Sequence, residues 1–291
     1  MNIVKCASMK ASAFLFGKIY EQNFEIVSAN TDELREQVFR LRNEIFCVEN
    51  GFKTFQVHEG GLEYDAYDKR SRHVLLRYRP TGQNIGTIRV IMPDQEQALN
   101  SFPMQTSCDH PILKNEAKSS SLCEISRLCV SQNFRRRLND GSVLPDLHLP
   151  SGLKLTNPVT YFLSRRVIPF MPLGLFRGAF EEALLANRLE CMGAMEPKLI
   201  RSLRRLGFFA DNLGGTINLH GIRQPVMFNI NSLYDRAKAE KSILLPFMTD
   251  YGRLHSMAST LSGDIAAKPA PALQGYNEEE IIASIGAMNA C

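Results

Sequence analysis

The stretch Cys123-Glu124-Ile125-Ser126-Arg127-Leu128-Cys129-Val130 decides the fold. Its apolar residues predict a strand over Glu124 to Val130, yet it carries a carboxylate and a guanidinium. Both are costly in an apolar interior unless they are paired or face a cavity. A spacing of three puts Glu124 and Arg127 on opposite faces of a regular strand. Either the strand bulges there, or the two side chains do different jobs. A bulge would turn backbone N–H groups outward, toward a carbonyl oxygen gaining negative charge. A buried ion pair with other partners accounts for the same residues without any chemistry.

Upstream, His73 to Arg79 and Ile85 to Met92 read as two strands of a hairpin around the turn Pro80-Thr-Gly-Gln-Asn84. Asn23 to Ala29 reads as a further strand. Asn30 or Thr31 then offers an N-cap, with Asp32 and Glu33 where the helix dipole favours acids, and the helix runs to about Cys47. Its core stripe is Leu34, Val38, Leu41 and Ile45. The neighbouring stripe, Arg35, Phe39, Arg42 and Phe46, combines fixed charge with phenyl surface. Such a stripe suits the wall of a cleft, or arginines snorkelling over a core edge. Glu63-Tyr64-Asp65-Ala66-Tyr67-Asp68 follows in a loop. Three carboxylates so close can hold a cation or an ammonium group, or lie solvated at the surface.

Downstream, Asn139 to Pro172 is heavy in Pro and Gly and reads as an insertion with little regular structure. A helix (Leu173 to Asn187), a strand (Leu189 to Met195) and a helix (Pro197 to Leu206) closed by Gly207 follow. Paired strands (Gly215 to Leu219, Pro225 to Ile230) and a helix (Ser232 to Lys241) complete the series. The order β-α-β-β-β-α-β-α-β-β predicts an α/β domain with a mixed sheet flanked by helices. The expected division is an extension over 1–22, a domain over 23–254 with the 139–172 insertion, and a flexible tail over 255–291. From Ser256 to Gly275 the chain is too rich in Ala, Ser, Pro and Gly to bury much apolar surface, and a short amphipathic piece spans Glu278 to Ile285.

Of the 291 residues 44% are hydrophobic, enough for a sizeable core. No apolar run reaches the length of a membrane span, and the short apolar piece Ala11 to Phe16 lacks the features of an export signal. Seven scattered cysteines without a C-x-x-C pair predict reduced thiols in a cytoplasm, with no disulfide framework and no metal site. A net charge of +4 is too mild to imply nucleic acid.

L-R-E-Q-V-F at 34–39, D-A-Y-D at 65–68, G-T-I-R at 86–89, Phe102 and E-I-S-R-L-C-V at 124–130 resemble, in order and spacing, the signature of the acyl-homoserine-lactone (autoinducer) synthases. They also resemble the related N-acyl amino acid synthases, including the acyltransferases associated with PEP-CTERM/exosortase systems. M-E-P-K-L-I-R-S-L-R-R-L-G-F at 195–208 and H-G-I-R-Q-P at 220–225 resemble that last branch. The resemblance implies a GNAT-like acyltransferase fold with a splayed strand in its central sheet. It implies a catalytic set of Glu124, Arg127, Asp65, Asp68, Arg35 and Arg89. Around these, Phe39, Arg42, Phe46, Phe102, Ser126, Leu128 and Val130 would bind substrate. The family's Trp, ten residues past its first Arg, has no Trp counterpart; Ile45 or Phe46 stands in that region.

The implied reaction moves a fatty acyl chain from the phosphopantetheine thioester of an acyl-carrier protein to the amine of an amino acid or similar small molecule, with no permanently bound cofactor. The glycine-rich pyrophosphate loop of coenzyme A-using relatives should follow Val130. Ser131-Gln-Asn-Phe-Arg-Arg-Arg137 stands there instead, which favours a carrier protein. Glu124 would accept the ammonium proton. Asp65 and Asp68 would hold the acceptor or lock Arg35 and Arg89, and N–H groups near Leu128 to Ser131 would face the oxyanion. Arg135, Arg136, Arg137, Arg204 and Arg205, with Arg201, are candidates for docking an acidic carrier, or a solvated surface. Lactone synthesis from S-adenosylmethionine is one alternative. A non-catalytic acyl-chain or carrier-binding module is another, of a different class. A covalent route through Cys108 or Cys123 with His110 as base has no support in the spacing.

Overall fold

Thr31 separates the first strand from the first long helix. Its hydroxyl accepts from the Leu34 N–H at 3.3 Å, and Asp32 and Glu33 complement the dipole of the turn that follows. A computed structural model describes residues 14–139, 147–150, 154, 170–242 and 244–263. In it, α1 spans residues 14–23, β1 Phe24–Ser28 and α2 Asp32–Arg42. Beyond Arg42 the helix widens into a π-helical turn, Asn43–Glu49, where the Asn50 N–H reaches back five residues to the Ile45 carbonyl at 3.1 Å. Such turns are rare and re-aim side chains, here those of Phe46 and Glu49.

The sheet follows in hairpin steps and then changes direction. β1 pairs antiparallel with β2 (Ser71–Tyr78), β2 with β3 (Gln83–Ile91) and β3 with β4 (Leu122–Val130). β4 pairs in parallel with β5 (Glu190–Met195), and β5 antiparallel with β6 (Ile222–Asn229). Two short strands, Asp211–Asn212 and Ile217–Asn218, flank β6. This is the mixed, helix-flanked α/β sheet that the sequence predicts.

Helices cover the sheet. α3 is Gln132–Asn139, α4 Met171–Leu185, α5 Pro197–Arg205, α6 Ile230–Ala239 and α7 Arg253–Ser262. α4 is apolar nearly all round, as a helix buried on most sides must be. At Gly178 a Cβ would come within 2.7 Å of Ile26 and Val74, so the missing side chain lets α4 lie close on β1 and β2. Gly207, at φ +85°, ends α5 as expected.

Two boundaries move. The segment expected as an N-terminal extension contains α1, whose Leu15, Phe16, Ile19 and Tyr20 are core residues. The segment expected to be flexible beyond 254 begins with α7, where Leu254, His255, Ala258 and Ser259 are buried and His255 Nε2 meets Asp235 Oδ1 at 2.9 Å. Alanine and serine give little apolar periodicity, but they let a helix pack closely on α4 and α6. Residues 264–291, with the piece Glu278 to Ile285, and most of the 139–172 insertion lie outside the described residues. Among the described residues no helix is long and apolar enough to cross a membrane.

The central feature is a fork. β4 and β5 pair only over Leu122–Glu124 and Glu190–Met192. Gly193 still approaches closely, since a Cβ there would lie 2.8 Å from the Ile125 carbonyl oxygen. Beyond it the strands part. On the other edge of β4, the register with β3 slips between Thr87 and Arg89, and Arg127 takes φ +54°. Arg127 and Leu128 thus have no partner in β3, and β4 is bulged where sequence spacing allowed it.

Candidate active site

Three carboxylates and three guanidiniums interlock beside the fork. Asp65 caps a 3-10 turn, Ala66–Arg70: its Oδ1 accepts from the Tyr67 N–H at 2.9 Å, and its own N–H donates to Asp68 Oδ2 at 2.7 Å. This capping box fixes both acids. Arg42, with no exposed surface, donates to Asp68 Oδ1 at 2.8 Å and Oδ2 at 3.2 Å and pairs through Nε with Glu63. Arg89, equally buried, donates from Nη1 to Asp65 at 2.7 Å and Asp68 at 3.0 Å, and from Nε to Ser126 Oγ at 3.0 Å. Arg127 reaches Glu63 at 3.1 Å and Asp65 at 2.9 Å, with its guanidinium 4.6 Å over the Phe55 ring.

The charges balance, and the electrostatics follow. Burial would raise Asp68, but Arg42 and Arg89 outweigh it and hold the carboxyl well below the usual range. Burial, with Arg89 and Arg42 nearby, pulls Arg127 down.

Glu124 is the acid left over. It sits on the last paired rung of β4 and β5, is 3% exposed, and forms no ion pair among the described residues. One oxygen accepts from the Met104 N–H at 3.0 Å. Burial pushes its carboxyl up to about 7; that N–H and the charges of Arg89 and Arg127 counter only part of the rise. A carboxylate poised near neutrality in a cleft is suited to moving a proton.

The cleft opened by the fork measures about 340 Å³. Glu124, Ser126, Arg127, Leu128 and Cys129 line one side, and Ala194, Met195, Glu196 and Leu199 the other. Phe46, Phe52 and Phe55 form a wall that meets the 217–223 turn. There Phe55 stacks on His220 with centroids 4.3 Å apart, and Thr54 Oγ1 lies 2.8 Å from His220 Nδ1. Burial and the charges of Arg127 and Arg223 lower the His220 pKa. Burial pushes the Cys129 thiol up to about 12, which makes it a poor nucleophile.

Several expected residues lie elsewhere. Arg35 points outward, 43% exposed and paired with Asp32 at 2.6 Å. With Phe39, Asp65, Asp68 and Lys69 it borders a depression of about 450 Å³ whose lining shares no residue with the cleft, so the two acids expected in the catalytic set line the depression and reach the cleft only through their arginine partners. Asp65 and Asp68 therefore lock Arg42 and Arg89, not Arg35. The reason is legible once seen: L-R-E-Q-V-F at 34–39 is followed seven residues on by L-R-N-E-I-F at 41–46, and the second copy faces the site. Phe46, which stands in the region where the resemblance places Trp, lines the cleft, as does Phe52, ten residues past Arg42. Arg42 itself is a buried structural ion, walled off from the cleft.

Phe102 packs in a separate apolar cluster with Ile91, Met104 and Leu122, and Val130 in the main core, so neither lines the cleft. Ser131 cannot serve an oxyanion, because its N–H is bound to the Ile85 carbonyl at 2.8 Å. Cys108 donates to the Leu213 carbonyl at 3.2 Å and Cys123 lies 3.3 Å from Cys191, both away from the cleft, while His110 caps a turn at Ile112.

Arg135 lines the cleft mouth, and Arg136, Arg201, Arg204 and Arg205 are exposed. The Arg137 side chain lies outside the described residues. Glu63, Phe52, Phe55 and His220 escaped the sequence reading. Glu63 stood within the acidic run, but nothing local marked the aromatic loop and the later turn as neighbours.

Residues 41–141 match the model of the acetyltransferase (GNAT) domain, so the chain carries an acyltransferase domain of that fold. No curated protein matches the chain in sequence. Among solved structures it is similar to TofI in a complex with an inhibitor and MTA, at 15% identity and TM-score 0.49, over 74% of this chain and 96% of that one. It is also similar to FeeM, an N-acyl amino acid synthase from uncultured soil microbes, at 13% identity and TM-score 0.49, over 76% and 98%. A third is BjaI, a CoA-dependent acyl-homoserine lactone synthase, at 17% identity and TM-score 0.43, over 92% and 99%.

Proposed function

We propose that the protein transfers a fatty acyl group from the thioester of an acyl-carrier protein to the amine of an amino acid or a similar small acceptor. One observation carries this reading: a buried carboxyl poised near neutrality, Glu124, stands at the point where two parallel strands part. The parted edge of β4 offers backbone groups to an extended, amide-bearing arm, as a sheet edge does to an added strand. A pantetheine arm is such a ligand. Its thioester would lie near Glu124 and the bulge at Arg127.

The acceptor ammonium first loses one proton to solvent. The free amine nitrogen then attacks the thioester carbon, Glu124 takes the second proton, and the carbonyl oxygen gains charge. The Leu128 N–H, at the bulge where β4 has no register partner in β3, would support that charge. Collapse breaks the C–S bond, and the proton passes from Glu124 to the departing thiolate. The products are an amide and a free thiol, and no enzyme-bound acyl intermediate is needed. Arg127 and Arg89, pinned by Asp65, hold positive charge beside the reacting centre. The exposed arginines of α3 and α5 suit an acidic carrier surface.

The test is incubation of the purified protein with long-chain acyl-carrier protein and a pool of amino acids, followed by mass analysis. An acylated amino acid that disappears in Glu124→Gln is the expected result. Release of free fatty acid alone, or no turnover with any acceptor, would reject the reading.

A further inference from the structure

The helix that follows the bulged strand begins at Gln132, between the cleft residues Cys129 and Arg135, and helix N-termini ordinarily attract phosphate. Here that position is taken. Glu49, at the end of the π-helical turn, accepts from the Gln132 N–H through Oε2 at 2.7 Å and from Ser131 Oγ through Oε1 at 2.7 Å. Gln132 also binds the neighbouring Asn50 through its side-chain amide. The Phe134 N–H goes to Ser131 Oγ at 3.3 Å, the Arg135 N–H to the Ser131 carbonyl at 3.1 Å, and the Ser131 N–H to Ile85. From residue 131 to 135, no two neighbouring N–H groups remain to converge on a ligand. A negative charge already fills the positive end of the dipole. One turn along, Arg135 faces the cleft and makes no ion pair among the described residues.

Resting on the acyl-transfer reading, we propose that Glu49 selects the donor. Its carboxylate occupies the place where a pyrophosphate would dock, so the protein accepts an acyl-pantetheine arm that ends in a single phosphodiester and turns away coenzyme A thioesters. A carrier-bound arm presents one phosphate, which Arg135 can meet from the side. Coenzyme A presents two bridged phosphates, whose charge would stand against Glu49 with few N–H groups to offset it.

The experiment measures binding of coenzyme A, 4′-phosphopantetheine and pantetheine to the full chain by titration calorimetry, in wild type, Glu49→Gln and Glu49→Ala. Wild type should bind coenzyme A no tighter than 4′-phosphopantetheine. Removing the charge should raise coenzyme A affinity relative to 4′-phosphopantetheine by roughly tenfold, the scale of a charge at a helix N-terminus. Glu49→Gln keeps an acceptor oxygen for the helix and covers the case in which Glu49→Ala does not fold. A wild type that prefers coenzyme A, or an affinity ratio unmoved in a folded variant, would overturn the proposal. Should acyl transfer fail with every donor while the ratio still shifts, the acyl-transfer reading falls and discrimination between the two pantetheine ligands by Glu49 stands.

Discussion

Two successive stretches of one helix, offset by seven residues, share the same leucine, arginine and phenylalanine positions, and they do opposite things. Leu34 to Phe39 places its arginine in solvent, paired with Asp32, and its phenyl beside an open depression. Leu41 to Phe46 buries its arginine between Glu63 and Asp68 and turns its phenyl into the cleft. The difference comes from what faces each turn. The second copy runs into the π-helical turn and lies against the acidic loop, where a guanidinium is neutralised on arrival. A pattern of residue types is local; burial is not.

That comparison breaks most readily through stability. Arg42→Met would leave Glu63 and Asp68 buried without their shared cation, and a loss of about 3–5 kcal/mol is expected. Urea denaturation would show it as a lower midpoint. A near-normal midpoint would mean that the two turns are equivalent after all.

Next comes the separation of charge that holds the fold from charge that the proposed reaction would use. Glu124→Gln should lower kcat by about a hundredfold or more, as loss of a general base does. In wild type kcat/KM should rise with pH through about 7, the value to which burial pushes this carboxyl, and the variant should lose that inflection. The stability sign follows. The folded pKa lies above the ordinary value of 4.5, so wild type is penalised progressively as pH rises from there through about 7. A stability–pH slope that survives in the variant would assign the ionisation elsewhere.

The aromatic pair sharpens the comparison further. Phe46→Ala should raise KM for the acyl donor by roughly tenfold, on the order of one well-packed ring. Phe39→Ala should leave that KM unchanged, since its ring lies outside the cleft. Equal effects would join the depression to the active site. The smallest effect is expected at Arg35→Ala, where an exposed pair contributes no more than about 1 kcal/mol. A thermal melt that falls as far as for Arg42→Met would refute the outward placement.

Much of the fold was legible because its signals are local. The N-cap at Thr31, the hairpin of β2 and β3, and the Gly207 stop each depend on neighbours in sequence, and each formed where expected. Glu124 and Arg127 were conspicuous for a local reason too, being charges in an apolar strand. α1 and α7 were not legible. Their small or mixed residues become core only because α4 and the sheet lie over them.

By itself, then, the sequence determined the long strands of the sheet, the helices with a clear apolar period, and the presence of an acidic run and of two charges in the central strand. Backbone hydrogen bonding and side-chain period act over a few residues and leave their mark there. Tertiary structure alone decided which arginine of a repeated pattern is buried, that Phe52, Phe55 and His220 close one wall, and that Glu49 meets a helix some eighty positions away. Those outcomes depend on which surfaces meet and exclude water from each other.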